Sequence, residues 1–338
     1  MADIFDYIDW RGDIGFDRVP VNEVDSMTFS QLIYVKMQPY MPDIKKSKLT
    51  IKQLADMYLA DNNDDDIESM PNLFRNAAKL LKKIAKSKRF GRCLLTHYVY
   101  DISLEEESQF SAVTIELSDG SIFVSYSGTD HSVVGWKENF NLSYLDETPG
   151  QKKAKKYLYH VAKVYDADMW IGGHSKGGNL AVFAAMHVDR YIQKRIIKIF
   201  NLDGPGFNRK MISTEGYERI KSRIFTFLPQ SSFVGLLLEH VDDYKVVKST
   251  NSGPMQHDVF SWEVMVGGMD EKQRKRFTEA LFSIAEESNF ENLDRLSFKQ
   301  AIGMIKAADE LSKSDWNVLK TTIKQLIAAG VGTVRNEQ

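Results

Sequence analysis

An α/β fold built on a mainly parallel sheet, with helices on both faces, is the expectation from three observations. From residue 93 onward, apolar runs of strand length alternate with runs of helical period, the pattern of strands linked by crossover helices. Two of the early runs are joined by Asp119-Gly120, a strong two-residue hairpin turn. The third observation is Asp168-Met169-Trp170-Ile171, a buried-strand pattern, then Gly172-Gly173-His174-Ser175-Lys176-Gly177-Gly178, then the helical run Asn179 to Met186. Strand, glycine-rich turn and helix follow one another with no linker.

The chain opens with a segment of different character. Asp9 to Asp13 reads as a turn, Glu23 to Val35 as a helix with Leu32, Ile33 and Val35 inward, and Leu49 to Ala60 as a second helix. Asp61 to Asp66 is an acidic run that lacks the glycine and distal glutamate of a calcium loop, so it reads as a solvated loop. Pro71 opens a helix carrying Phe74, Ala77, Leu81 and Ile84 at helical spacing, with Lys82, Lys83, Lys86 and Lys88 on its wet face and Gly91 as its stop. Residues 1–92 are thus expected to be a mainly helical segment packed on a core at 93–268. Within that core, Leu94 to Ile102, Phe110 to Leu117 and Ile122 to Tyr126 read as strands. Next come a helix from Gln151, a strand from Met169, a helix to Val188 and a strand from Ile196 to Leu202. A helix from Thr214, a strand from Arg223, a short helix at 233–240 and a strand from Tyr244 to Lys248 follow. Residues 269–338 supply three more helices, Glu271 to Glu286, Phe298 to Leu311 and Ser314 to Ala329, expected to belong to the same domain.

Composition narrows the function classes. With 44 basic and 46 acidic residues in 338 the net charge is −2, which gives no reason to expect nucleic acid or an anionic membrane as partner. Cys93 is the lone cysteine, so no intrachain disulfide is possible and a reducing compartment fits. The Asp-rich N-terminus lacks the order of a signal peptide and no run has the length of a transmembrane span. A cytoplasmic protein follows as the expectation; the sequence leaves the oligomeric state open.

Chemistry centres on Gly173-His174-Ser175-Lys176-Gly177, a G-x-S-x-G pattern in the strand–turn–helix context of a nucleophile elbow. Small residues must flank a serine held on so sharp a turn, and the following helix N-terminus favours negative charge beside it. A serine hydroxyl needs a base to take its proton and a third group to orient that base. In the α/β-hydrolase arrangement the chain order is serine, acid, histidine. Of the histidines after Ser175, His187 sits on the serine's own helix, His240 closes the short helix, and His257 lies in a loop after the last core strand, where the base belongs. His257 is preferred over His240. Asp203, in Leu202-Asp203-Gly204-Pro205-Gly206 at the carboxyl edge of the sheet, is the candidate acid, with Glu239, Asp242 and Asp243 as rivals and a purely structural turn as its alternative role. For the oxyanion, the backbone N–H of Lys176 is one donor and Thr129, after an early strand, the other. The amphipathic run Val133 to Phe140 reads equally as a lid or as a packed helix.

These motifs together resemble a bacterial family of uncharacterised lipase-like α/β hydrolases. The resemblance is carried by Ser125-Tyr126-Ser127-Gly128-Thr129-Asp130, Gly135-Trp136-Lys137-Glu138-Asn139-Phe140-Asn141, the elbow, Asn201-Leu202-Asp203-Gly204-Pro205-Gly206-Phe207, Pro229 to Leu238, and Gln256 to Trp262. Asn22-Glu23-Val24-Asp25 with Ser30-Gln31-Leu32 extends it to the N-terminus. That family is in turn similar to the class 3 lipases, whose elbow serine matches Ser175 and whose oxyanion residue matches Thr129, with Ser127 replacing an arginine. Their acid stands in Asp-x-Val-Pro after the strand matching Arg223 to Phe227, where this chain has Ser232-Phe233-Val234-Gly235. The resemblance therefore implies an acid moved to Asp203 or a later carboxylate, or a dyad. The function it implies is a serine hydrolase of small-molecule or lipid carboxylic esters with no metal and no cofactor. A non-catalytic α/β-hydrolase-fold protein that binds a ligand or another protein is the reading from a different class.

Overall fold

The computed structural model of the protein describes residues 2–44, 46–129, 147–232, 234–239 and 244–264. The expectations for 133–140, His240, Asp242, Asp243 and the three C-terminal helices lie outside these residues. All of the described residues fall within one compact unit, Met1–Met265.

An eight-stranded sheet runs through the described residues in sequential order, β1 to β8. Its strands are β1 (Lys48–Thr50), β2 (Leu94–Ser103), β3 (Ser108–Glu116), β4 (Ile122–Tyr126), β5 (Met169–His174), β6 (Ile196–Leu202), β7 (Ile224–Pro229) and β8 (Tyr244–Val247). The first four pair antiparallel, and β4 to β8 pair parallel. Asp119-Gly120 does form the β3–β4 turn, with Gly120 at φ +84° and the Asp119 carboxylate accepting from the Ser121 N–H.

Helices in chain order are α1 (Ile4–Arg11), α2 (Glu23–Leu32), α3 (Ile51–Asp61), α4 (Asp64–Ser69), α5 (Asn72–Ile84), α6 (Pro149–Val164), α7 (Lys176–His187), α8 (Arg190–Lys194), α9 (Arg209–Ile212) and α10 (Glu215–Ile220). Sequential order in a parallel sheet has a consequence. Right-handed crossovers between neighbouring strands all fall on one face, so something else must cover the other. The cores divide accordingly. Val124, Ile171 and Ile199 pack with Leu158 and Val161 of α6 and Leu180 and Phe183 of α7. Their alternating neighbours Phe123, Trp170 and Phe200 pack instead with Phe29, Leu54 and Leu81 of the N-terminal helices. Helices on both faces are thus what the structure has, and the N-terminal segment is the second layer. Phe29 shows the contact directly, its ring centroid 5.0 Å from that of Phe123.

Several local expectations are corrected. Asp9 to Arg11 belong to α1, and the turn starts only at Gly12. Asp64 to Asp66 are not a loop: they form the first turn of α4, capped by Asn63, where carboxylates face the helix's partial positive charge. Gly91 does not stop α5, which ends at Ile84. Instead its N–H bonds Ser87 O at 2.9 Å, its carbonyl accepts from Lys52 N at 3.0 Å, and a Cβ there would collide with the Ala85 carbonyl. Residues 234–239 are turns, not a helix, because their backbone groups bond elsewhere: Glu239 exchanges both of its bonds with Phe207 at 3.0 Å.

Candidate functional site

At the end of β5 the chain passes into α7 through a single residue, Ser175. Its backbone is at φ +57°, ψ −131°, a region that L side chains avoid at a cost of about 1–3 kcal/mol. The surroundings impose that conformation. Ser175 N–H donates to Leu202 O at 2.8 Å, and its carbonyl accepts from Gly178 N–H at 2.9 Å. Gly173 and Gly177 touch, so that a Cβ on Gly173 would strike the Gly177 carbonyl group and one on Gly177 would strike the Tyr126 carbonyl oxygen. The strain and the two glycines together form the elbow geometry, with the positive end of α7 behind the hydroxyl.

Asp203 follows β6 as Ser175 follows β5, and it too has a positive φ, +52°. Its carboxylate is fully buried. Oδ2 is 2.6 Å from His257 Nδ1, while Oδ1 accepts from Ser232 Oγ at 2.5 Å and from Gly235 N–H at 3.1 Å. Gly204 packs its backbone against the Ser175 carbonyl, 2.5 Å from where a Cβ would stand. Asn179 of α7 ties down the same loop by donating to Pro205 O at 3.1 Å and Gly206 O at 3.0 Å.

His257 closes the short 3-10 helix Gly253–His257. Gln256 anchors that helix: its Oε1 accepts from Ser231 N–H at 2.7 Å, its Nε2 donates to Asn251 O at 3.0 Å, and its carbonyl accepts from Trp262 Nε1 at 2.7 Å. With Nδ1–H committed to Asp203, the Nε2 lone pair of His257 is left for a proton. The structure therefore brings Asp203 and His257 together. It takes the rivals elsewhere: Glu239 pairs with Arg209 at 2.8 Å, and His187 stacks on Phe183 at 4.0 Å at the far end of α7. Among the described residues Ser175 Oγ makes no hydrogen bond, to His257 or to any other group.

Thr129 lies just past β4, whose last residue Tyr126 pairs with Gly173. A Cβ on its neighbour Gly128 would stand 3.1 Å from Ser175 Cβ, so this loop lies against Ser175. Lys176 contributes its backbone at the first position of α7, while its buried side chain runs away from solvent to Gln109, Nζ donating to the carbonyl at 2.6 Å and to Oε1 at 2.8 Å. Gln109 Nε2 continues to Ser127 Oγ at 3.4 Å, and Ser127 Oγ donates to Gly128 O at 2.9 Å.

Four residues near the site escaped the sequence reading: Tyr34, His174, Asn179 and Ser232. His174 is buried inside the G-x-S-x-G pattern itself. Burial, and secondarily the nearby His257, hold its imidazole well below the usual histidine range. Only its place beside the serine could have flagged it. Among the described residues no group of three or more His, Cys, Asp and Glu side chains is placed to hold a metal ion, and no helix is long and apolar enough to cross a membrane.

A family profile described as Mbeg1-like matches residues 84–298. Among solved structures, the chain is similar to the M37 lipase, at 16% identity over 63% of this chain and 68% of that one, with a TM-score of 0.38. It is similar to a mutant form of MDLA from Penicillium cyclopium at 12% identity, over 72% of this chain and 84% of that one, TM-score 0.40. A fungal lipase–inhibitor complex gives 10% identity over 67% and 78%, TM-score 0.35. No curated protein matches the sequence.

Proposed function

The chain belongs to the Mbeg1-like family, and we propose that in it this site is the centre of a lipase- or esterase-like serine hydrolase cleaving carboxylic esters. One observation carries the reading: the 2.6 Å contact of buried Asp203 with His257 Nδ1, on loops packed beside a serine in elbow conformation. In this reading Ser175 Oγ attacks the ester carbonyl and His257 Nε2 takes its proton. Asp203 keeps the ring in the right tautomer and stabilises the imidazolium. The backbone N–H of Lys176 and Thr129 receive the oxyanion. His257 passes its proton to the leaving alcohol, and water then clears the acyl-enzyme with the same residue as base. Written this way, the reaction uses no metal and no cofactor.

The absent Ser175–His257 hydrogen bond is the observation on the side of a non-catalytic binding protein, although such bonds often tighten only when substrate arrives. Stopped-flow hydrolysis of activated esters of graded acyl length separates the two readings. An enzyme gives a burst of alcohol stoichiometric with protein, followed by turnover that Ser175→Ala abolishes. A binding protein gives neither at any acyl length.

A further inference from the structure

The residue before the nucleophile is placed to do a second job. His174 Nε2 lies 2.8 Å from the carbonyl oxygen of His257, and the two rings stack at a tilt with centroids 4.5 Å apart. A carbonyl can only accept, so Nε2 must carry the proton and Nδ1 must present its lone pair. What faces that lone pair is the Tyr34 hydroxyl, at 3.5 Å. The same hydroxyl accepts the Gly128 N–H at 3.0 Å, so it stands between that N–H and the His174 ring. A chain of contacts therefore runs from the loop before Thr129, through Tyr34 and His174, to the backbone of His257. It begins beside the proposed oxyanion donors and ends on the proposed base.

Resting on the hydrolase reading above, we infer that His174 is a positioning residue for His257. It fixes the main chain of the base loop relative to the serine's own strand, and with Tyr34 it couples that loop to the oxyanion loop. Among the described residues the His257 side chain is hydrogen-bonded by Asp203 alone, and its ring rests on that of His174. Its Nε2 reaches Ser175 at a usable distance only if the backbone that carries the ring is fixed too, and His174 supplies that second constraint. Gly128 shows how closely the parts are fitted, since a Cβ there would stand 2.5 Å from Tyr34 Oη and 2.6 Å from the His174 carbonyl oxygen. Neutrality matters as well. His257 becomes cationic during the reaction, and a second cation 4.5 Å from it would oppose that step. Burial keeps His174 uncharged, so it holds its partner without repelling it.

The test compares wild type with His174→Leu, which keeps the bulk but has no donor, and with His174→Gln, whose terminal amide N–H comes near the place of Nε2. The probe is a fluorophosphonate, and its second-order rate of attachment is followed from pH 5 to 9. Misplacement of a reacting group by an ångström costs about 100-fold, so His174→Leu is expected to lose roughly 10- to 100-fold and to shift the pH midpoint. With the same warrant His174→Gln is expected to recover to within about threefold of wild type. Melting curves establish that both variants are folded. Wild-type rate and midpoint in His174→Leu would overturn the inference, and so would a folded His174→Gln as slow as His174→Leu. If wild type does not label at all, the hydrolase reading fails, and positioning is then read from imidazole 15N spectra. His174→Leu must still move the His257 ring resonances and its Nδ1–H proton; unchanged His257 resonances overturn the positioning claim on their own.

Discussion

Ser232 Oγ donates to Asp203 Oδ1 at 2.5 Å, from the stretch of chain where the class 3 lipase pattern would place its acid. The carboxylate stands one strand further in, after β6, and Ser232, in the loop after β7, is its hydrogen-bond donor. On the proposed mechanism Asp203→Asn reverses the ring tautomer of His257. Ester turnover is then expected to fall by roughly 10³- to 10⁴-fold. Ser232→Ala removes only one donor to a charged group, a bond of about 1.5–3 kcal/mol, and turnover is expected to fall by about tenfold. Steady-state kinetics on one activated ester checks both, and equal losses in the two variants would contradict the division of roles.

Gly235 is a place where one methyl group separates the site from the fold. A Cβ there would collide with Asp203 Oδ1 and with the Leu228 side chain. Gly235→Ala is expected to displace the Asp203 carboxylate and cost at least about tenfold in turnover, with a stability loss of about 1–3 kcal/mol from overpacking. Kinetics and urea unfolding on the same preparation measure the two effects.

The N-terminal layer has its own keystone. Arg89 Nε and Nη2 meet both oxygens of Asp25 at 2.7 and 2.5 Å. The remaining donors reach the carbonyls of Ile14, Val19 and Pro20 at 2.9–3.1 Å. Both side chains are fully buried. Asp25→Asn leaves a buried cation without its counter-charge and is expected to destabilise by about 3–5 kcal/mol. Since this segment shares one hydrophobic core with the sheet, chemical denaturation is expected to remain a single transition. Early loss of N-terminal signals alone would contradict that coupling.

Stability should also depend on pH through His174. Its folded-state pKa is lowered from the ordinary 6.5 by burial first and by His257 second. Above pH 6.5 both states are neutral there and the contribution is complete. As pH falls below 6.5 the unfolded chain takes up a proton that the folded protein refuses, so stability drops, by at most about 1.4 kcal/mol per pH unit. The acid limb of Tm against pH is therefore expected to be shallower in His174→Gln than in wild type. Parallel limbs would contradict the buried neutral imidazole.

Much of this architecture is legible in the chain because it rests on local rules. The elbow shows as a strand, two flanking glycines and a helix, and the β3–β4 hairpin shows as Asp119-Gly120. The pairing of His257 with Asp203 was reachable by position along the sheet, although the sequence alone left Glu239, Asp242 and Asp243 open. What stayed hidden depends on approach between distant segments. Gly91 looks like a helix stop because its close contact with Ala85 and Lys52 is tertiary. Asp64 to Asp66 are as exposed as they look, but the short helix they open buries Ile67 alone, too little apolar pattern to mark it as a helix. Nothing in the sequence gives Tyr34 or Ser232 a role; they matter through hydroxyls that meet backbone and carboxylate from 94 and 29 residues away.

The central claim is an activated serine at residue 175, and it is tested most directly by covalent capture. Purified wild type, Ser175→Ala and His257→Ala are each incubated with a fluorophosphonate, and the modified peptide is located by mass spectrometry. The account predicts one adduct per chain, on Ser175, absent from Ser175→Ala and slowed at least about 100-fold in His257→Ala. Folded wild type that takes up no phosphonate, or takes it up equally well without His257, would contradict it.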